Sequence, residues 1–290
     1  MSESLNKVMR RELTPGAGLL LPGASNALAA RLMEQVGYKA FLVTGAGIAN
    51  TYLGVPDLGL VSVTELAEHV AAISDAVNIP MIVDGDTGFG NAINVGRTIR
   101  LLERAGANAI MLEDQTFPKR CGHFEGKGVV PQSEMVQKIK AAVDARKDHD
   151  MMILARTDAR AVEGFTQALD RLAAYREAGA DFMFLEAPLS VEELTAIPRD
   201  LPGIHICNLV IGGKTPLLPQ EELKRIGFAG IVYANAALQA SLLAMKKVLE
   251  HIKENGSIVG VEDQIMMFDD RQKVLGADHF KELEKRYIGG

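Results

Sequence analysis

Residues 80–115, PMIVDGDTGFGNAINVGRTIRLLERAGANAIMLEDQ, contain the unit from which the fold can be predicted. The apolar runs Pro80–Asp84 and Ala109–Glu113 are each five residues long, which suits a strand and is too short for a helix. Between them, Asn94–Ala105 has apolar residues at steps of three and four, as a helix with one buried face does. Apolar strands that alternate with single helices indicate a parallel sheet covered on both faces.

The same unit recurs along the whole chain. Six further apolar runs have strand length: Gly18–Leu21, Ala40–Thr44, Met151–Arg156, Phe182–Glu186, Ile204–Asn208 and Gly230–Tyr233. Helical spacing occurs in Ala27–Val36, Val63–Ala76, Glu134–Ala145, Phe165–Ala178 and Leu238–Ile252. Eight strands predict an α/β protein with a (β/α)8 TIM-type barrel, and a doubly wound open sheet is the alternative. We predict a single domain over 1–290, with the barrel at about 15–255 and a C-terminal helical tail at about 256–290.

Composition limits the possible partners. The 290 residues carry a net charge of −6, so no basic surface argues for nucleic acid, and only 5% of them are aromatic. The longest apolar runs are far shorter than a membrane span, and the N-terminus has no signal-peptide core. Two cysteines cannot form a disulfide framework, so we expect a cytoplasmic protein.

Polar side chains collect where the predicted strands end. Five successive strand ends carry Asp84 and Asp86, then Glu113, Arg156, Glu186 and Asn208. One such residue could be explained by a turn or a helix cap, but five strand ends in succession are harder to explain in that way. Because the carboxyl ends of barrel strands meet at one rim, we expect these side chains to surround one pocket.

Asp84, Asp86 and Glu113 are candidate metal ligands. Carboxylates are hard oxygen donors that suit Mg²⁺ or Mn²⁺. A divalent ion also allows several carboxylates to lie close together without raised pKa values. The alternative for Asp84 and Asp86 is a turn in which each Asp bonds its own backbone.

Cys121 lies in a long polar loop after the fourth strand, within the motif Lys119–His123. Its basic neighbours Lys119, Arg120 and His123 should lower the pKa of the thiol, so that it can exchange a proton near neutral pH. The alternative is a bystander cysteine in a basic loop. Cys207 falls inside an apolar strand, and we expect it in the core.

Two features predict that an anion binds at the same rim. Arg156 ends an apolar strand, where its guanidinium needs a partner: a substrate carboxylate, or an ion pair with Glu113 or Glu186. The segment 44–47, TGAG, could present backbone N–H groups to an anion, or it could be a simple turn.

Taken in order, these motifs resemble the isocitrate lyase / phosphoenolpyruvate mutase superfamily, and within it the short-chain lyases. The most specific match is Lys119–His123, and the others are 54–59, 84–90, 112–115, 155–159, and Asn208 with 212–216. The resemblance covers about residues 20–248. It implies a barrel whose last helix is exchanged between subunits, in dimers that pair into homotetramers.

The resemblance also implies roles for the candidate residues. Mg²⁺ or Mn²⁺ would be held at Asp84, with Asp86, Glu113 and Glu186 acting largely through water. The substrate would be bound by Thr44, Gly45, Ala46, Gly122, Arg156, Glu186 and Asn208. In a retro-aldol cleavage, Glu113 or Asp57 would take the hydroxyl proton, and Cys121, with His123 in the same catalytic motif, would protonate the leaving fragment.

The predicted substrate is a small 2-hydroxy dicarboxylate. Related 2-methylisocitrate lyases carry an Arg at the position of Gln239, whereas Gln239 is neutral and the nearby Val210 and Ile211 are apolar. This favours 2,3-dimethylmalate, cleaved to propionate and pyruvate, over 2-methylisocitrate, cleaved to succinate and pyruvate. A phosphonate mutase, an oxaloacetate hydrolase and a non-catalytic metabolite-binding barrel are the alternatives from other classes.

Overall fold

The computed structural model describes residues 3–120, 122 and 126–289. Its strands form a closed parallel barrel in sequential order. They are β1 (Leu19–Ala24), β2 (Phe41–Val43), β3 (Met81–Asp84), β4 (Ala109–Glu113), β5 (Met152–Thr157), β6 (Phe182–Leu185), β7 (His205–Asn208) and β8 (Gly230–Tyr233). Pairing of Leu19 in β1 with Gly230 in β8 closes the circle. The predicted (β/α)8 TIM-type barrel is confirmed, and the open sheet is excluded.

Helices follow the strands along the chain. They are α1 (Leu5–Glu12), α2 (Ala27–Val36), α3 (Gly45–Ile48), α4 (Val63–Ser74), α5 (Ala92–Arg104), α6 (Gln132–Ala145), α7 (Phe165–Glu177), α8 (Val191–Asp200), α9 (Gln220–Ile226), α10 (Ala236–Asn255), α11 (Phe268–Leu275) and α12 (Ala277–Tyr287). A π-helix, Ala49–Leu53, continues α3, and 3₁₀ turns lie at Ala159–Ala161 and Glu262–Gln264.

Local sequence fixes several helix ends. Ser62 and Glu65 form a capping box at the start of α4, and Asn91 and Asn94 form one at the start of α5. The second box lies directly after the turn that carries Asp84 and Asp86, so it also fixes where this turn ends.

The core has two layers because successive strand residues point to opposite sides of the sheet. Residues such as Val83 and Ile110 pack outward against the helices, while Ile82 and Met111 fill the barrel. Met9 and Leu13, at the end of α1, belong to the inner layer and cover the amino-terminal ends of the strands. The open end of the barrel is therefore the carboxyl-terminal one.

The C-terminal helices are packed unevenly. α11 contacts α2 of the same chain, where Val274 is buried. α10, which the spacing assigned to the ring of barrel helices, buries none of its 20 residues, and Leu242 and Leu249 are 52% and 65% exposed. Exchange of the last helices between subunits stays a prediction. Within the described residues, no helix has the length and apolar character needed to cross a membrane.

Candidate active site

A cavity of about 390 Å³ opens at the carboxyl-terminal end of the barrel. It brings together most of the predicted site residues, and its lining includes Thr44, Ala46, Asp57, Asp84, Gly122, Arg156, Glu186 and Asn208. Gly45 lies beside it, since a Cβ there would be 3.2 Å from carboxylate oxygens of Asp84 and Asp86. Asp86 and Glu113 do not line the cavity but contact residues of the site. Cys121 and His123 lie outside the described residues.

Arg156 lies at the centre of the first charge cluster. Its Nη1 is 3.3 Å from Glu113 Oε2, its Nη2 is 3.1 Å from Glu186 Oε2, and its Nε donates to Asp158 Oδ2 at 2.9 Å. Burial alone would lower the pKa of Arg156, but Asp158, Glu186 and Glu113 raise it, so the guanidinium stays charged. The ion pairs foreseen as one alternative are present, and the guanidinium still lines the cavity, where it can meet a substrate carboxylate.

Asp158 is a site residue to which the sequence pattern assigned no role. It is fully buried, it accepts from Arg156 Nε and Nη2, and its Oδ1 lies 2.7 Å from Lys127 Nζ. Burial alone would raise the pKa of Asp158, but Arg156 and Lys127 together lower it, so it remains a carboxylate. The only sequence signal for Asp158 was its position two residues after Arg156, inside the motif 155–159 that contributed to the family resemblance.

Lys119 lies at the centre of a second cluster. Its Nζ is 2.5 Å from Asp57 Oδ1 and 2.7 Å from Asp86 Oδ1, and the side chain is buried. Burial alone would lower the pKa of Lys119, but Asp86, Asp84, Glu113 and Asp57 raise it, so the amine stays protonated. Lys119, expected as a basic neighbour of the Cys121 thiol, thus ends among the carboxylates of β3.

The carboxylate set fits a divalent cation. Burial raises the pKa of Asp86 to about 7 although Lys119 opposes the shift, and burial raises the pKa of Glu113 although Arg156 opposes it. Glu113 Oε1 and Asn208 Oδ1 are buried without a hydrogen-bond partner among the described residues, which is unusual for polar atoms in a protein interior. No three carboxylate, imidazole or thiol groups among those residues lie close enough to bind one ion together. Buried carboxylate and amide oxygens are the hard donors that Mg²⁺ and Mn²⁺ prefer, so the residues present fit a divalent ion.

Backbone strain marks two of the strand ends. Asp86 after β3 and Ala187 after β6 have φ values of 48° and 55°, in the left-handed region that residues with a Cβ rarely adopt. Each lies at or next to a site carboxylate. Such strain persists where the surrounding structure holds it in place, and it is common at functional sites.

A buried network behind the rim holds the turn after β5. Asp114 is fully buried and accepts from Thr157 Oγ1 at 2.7 Å, from Tyr175 Oη at 2.9 Å and from the backbone N–H of Asp158 at 2.9 Å. The motif 112–115 contributed to the family resemblance, but the sequence analysis predicted no role for Asp114. In the structure it fixes the backbone from which Asp158 reaches Arg156.

The sequence of this chain matches a known protein family. A family model described as phosphoenolpyruvate phosphomutase matches residues 10–253. The chain belongs to this family. The resemblance drawn from the motifs is thereby confirmed.

Individual relatives extend over nearly the whole chain. The 2,3-dimethylmalate lyase of Eubacterium barkeri is 42% identical over 97% of this chain and 98% of its own length. The 2-methylisocitrate lyase of Aeropyrum pernix is 42% identical over 92% of this chain and 85% of its own. A solved 2,3-dimethylmalate lyase structure superposes with a TM-score of 0.92 at 33% identity, covering 100% of this chain and 97% of that one. A phosphonopyruvate hydrolase in complex with oxalate and Mg²⁺ superposes with a TM-score of 0.87 at 32% identity, covering 99% and 100%.

Proposed function

We propose that this chain is a metal-dependent carbon–carbon lyase that cleaves 2,3-dimethylmalate to propionate and pyruvate. One observation carries the choice of substrate: Arg156 is the only cationic side chain among the described residues that line the cavity, and Gln239, Val210 and Ile211 are part of its wall. A methyl group suits such a wall, whereas a third carboxylate would lose water there without gaining a cation.

The relatives support the reaction type but do not choose between the two substrates. A 2,3-dimethylmalate lyase and a 2-methylisocitrate lyase are each 42% identical to this chain. The alternative is therefore a 2-methylisocitrate lyase, which would give succinate and pyruvate. The neutral Gln239 is the residue that favours the smaller substrate.

The residues of the cavity would bind the 2-hydroxy acid at its oxygens. Arg156 and Asn208 are proposed to contact substrate oxygens from β5 and β7. Thr44 caps α3 by accepting from the N–H of Gly47. The first N–H groups of α3, at Gly45 and Ala46, have no acceptor within the helix, so they are proposed to bind the carboxylate that becomes part of pyruvate.

Asp84 is proposed to hold Mg²⁺ or Mn²⁺, with Asp86, Glu113 and Glu186 acting through water. When bound, the ion supplies stabilisation of the negative charge on the hydroxyl oxygen and its neighbouring carboxylate. The support comes from the donor set described above and from the Mg²⁺ named in the phosphonopyruvate hydrolase complex.

Two proton transfers complete the proposed reaction. Asp57 is better placed than Glu113 to take the hydroxyl proton, because Asp57 lines the cavity and Glu113 does not. The C2–C3 bond then breaks, and its electrons remain on the propionate fragment as an enolate-like dianion. Cys121 is proposed to protonate this fragment, with His123 as the second catalytic residue of the motif. The position of Gly122 at the cavity supports this assignment of its neighbour in sequence.

A coupled assay with lactate dehydrogenase, which consumes pyruvate, tests the proposal directly. We expect kcat/KM to be higher for 2,3-dimethylmalate than for 2-methylisocitrate, and the reverse order would establish the alternative. If neither is cleaved while phosphonopyruvate or oxaloacetate is turned over, the lyase proposal fails. Full turnover by Cys121→Ser would refute the proton-donor role, and full turnover after chelation of divalent ions would refute the metal.

A homotetramer, built as a dimer of dimers with exchanged C-terminal helices, is also part of the proposal. It is supported by α10, a 20-residue helix that buries no residue on its own barrel. Exposed apolar side chains along α10, including Leu242, Leu243, Met245 and Leu249, would be covered by a second copy.

A further inference from the structure

Lys127 occupies a position that neither the sequence pattern nor the proposed reaction explains. Its Nζ lies 2.7 Å from Asp158 Oδ1 and also donates to the carbonyl oxygen of Gly122. Only 2% of the side chain is exposed. Burying an ammonium group costs free energy unless it is paired, so these two contacts are what keep Lys127 in this place.

Gly122 is in turn packed against the substrate-binding Arg. A Cβ at Gly122 would lie 2.5 Å from Arg156 Nη2 and 2.5 Å from Glu186 Cδ, so the backbone itself touches these side chains. Asp158 holds the same Arg156 through Nε at 2.9 Å. Lys127, Asp158, Arg156 and Gly122 thus form a closed ring of contacts at the edge of the cavity.

We propose that Lys127 is a positioning residue that fixes Gly122 against Arg156 and so sets the position of the chain next to Cys121. Lys127 does not touch the substrate in this role. Asp158 would keep Arg156 in place without Lys127, because Arg156 Nε donates to Asp158 Oδ2, whereas Lys127 contacts the other oxygen, Oδ1. Loss of Lys127 should therefore disturb the Gly122 side of the ring and leave the Arg156 side intact. Only the effect on turnover rests on the proposed function.

The alternative is that Lys127 merely neutralises the buried Asp158. In that case its removal would destabilise the fold without a specific effect at Cys121. Arg146 provides a matched control, because it is also a largely buried cation, its Nη1 lies 2.6 Å from Asp181 Oδ2, and it lies at the opposite end of the barrel. Lys127→Arg keeps the charge and tests for rescue.

Alkylation of the native, Mg²⁺-loaded enzyme by iodoacetamide reports on Cys121 alone. Cys207 is 2% exposed, and burial raises the pKa of its thiol to about 12, so it does not react. We expect Lys127→Met to raise the alkylation rate and lower kcat, each about tenfold, as for loss of a hydrogen bond made by a charged group. Oxalate affinity, measured by calorimetry, should change less than about threefold, and Lys127→Arg should restore much of the loss.

Two outcomes would overturn the proposal. In one, Lys127→Met lowers Tm as Arg146→Met does while the alkylation rate stays at the wild-type value. In the other, oxalate affinity falls as much as kcat, which would place Lys127 on the Arg156 side of the ring. If the wild type fails to cleave 2,3-dimethylmalate, the proposed function fails, but the alkylation and oxalate measurements still decide the role of Lys127.

Discussion

Gln239→Arg should move the substrate preference toward 2-methylisocitrate. Gln239 lies in the first turn of α10, and it lines the same cavity as Asp84 and Arg156. The two substrates differ in the group on C3, a methyl group in one and a carboxymethyl group in the other. Among the described residues that line the cavity, Arg156 is the only cation, so an Arg at position 239 would add a second one. Its planar guanidinium can donate two hydrogen bonds to a carboxylate.

The expected size of the change follows from the exposure of the site. A hydrogen bond to a charged group contributes about 1.5–3 kcal/mol, and each 1.4 kcal/mol is a factor of ten. Gln239 is exposed, so solvent screening places the gain at the lower end, about tenfold in the ratio of kcat/KM values for 2-methylisocitrate over 2,3-dimethylmalate. The lactate dehydrogenase assay measures both values. Gln239→Met, which adds no charge, is the control and should not raise the ratio. An unchanged or lower ratio in Gln239→Arg would refute the assignment of this wall to the C3 substituent.

Three other perturbations test separate parts of the structure. Gly122→Ala should lower kcat about tenfold or more, because the new Cβ would lie 2.5 Å from Arg156 Nη2 and would displace the guanidinium; wild-type kinetics would contradict the packing. Burial lowers the pKa of His205 to about 4, below that of the unfolded chain, so its contribution to stability is complete above about pH 6.5 and is lost as the pH falls toward 4. In urea unfolding, the free energy of unfolding of the wild type should therefore fall between pH 6.5 and 4 by up to about 3 kcal/mol more than that of His205→Gln. The same pH dependence in both proteins would exclude the effect. Leu242→Glu combined with Leu249→Glu should reduce the molar mass in light scattering, while the surface control Lys253→Glu should not; equal masses would argue against an interface at α10.

The barrel could be predicted because its signal is local and repeated. Each strand is a short apolar run, and glycines with positive φ end the helices before the next strand at Gly37, Gly106, Gly179 and Gly227. α1 gave no comparable signal. It is one short, largely polar helix, and its buried residue Met9, with Leu13 directly after the helix, meets strand ends that are distant in sequence. Only Ser4, whose hydroxyl caps α1, marks its start locally.

The sequence could predict that several candidate residues lie at one rim, but it could not predict how their side chains pair. Strand ends must meet at one rim, so the approximate positions of Asp84, Arg156 and Asn208 followed from the fold class. The pattern of apolar residues along the chain does not show which partner a long side chain in a loop will reach. Lys119 and Lys127 come from the same loop, yet one ends at Asp86 and the other at Asp158, because each finds a different buried carboxylate.

The charges of the assembled site support the proposal that a divalent ion and an anionic substrate bind there together. Among the site residues that the structure describes, three buried cations, Lys119, Lys127 and Arg156, lie among six carboxylates: Asp57, Asp84, Asp86, Glu113, Asp158 and Glu186. Even with Asp86 protonated, since burial raises its pKa to about 7, the negative charges outnumber the positive ones. A dicarboxylate entering this cavity would meet the carboxylates of Asp57, Asp84 and Glu186 in its lining, and Arg156 is the one cationic side chain among the described lining residues. An ion at the proposed Asp84 site would reverse that balance beside the substrate hydroxyl, so the carboxylates that would repel the substrate alone would favour binding of the ion before the substrate.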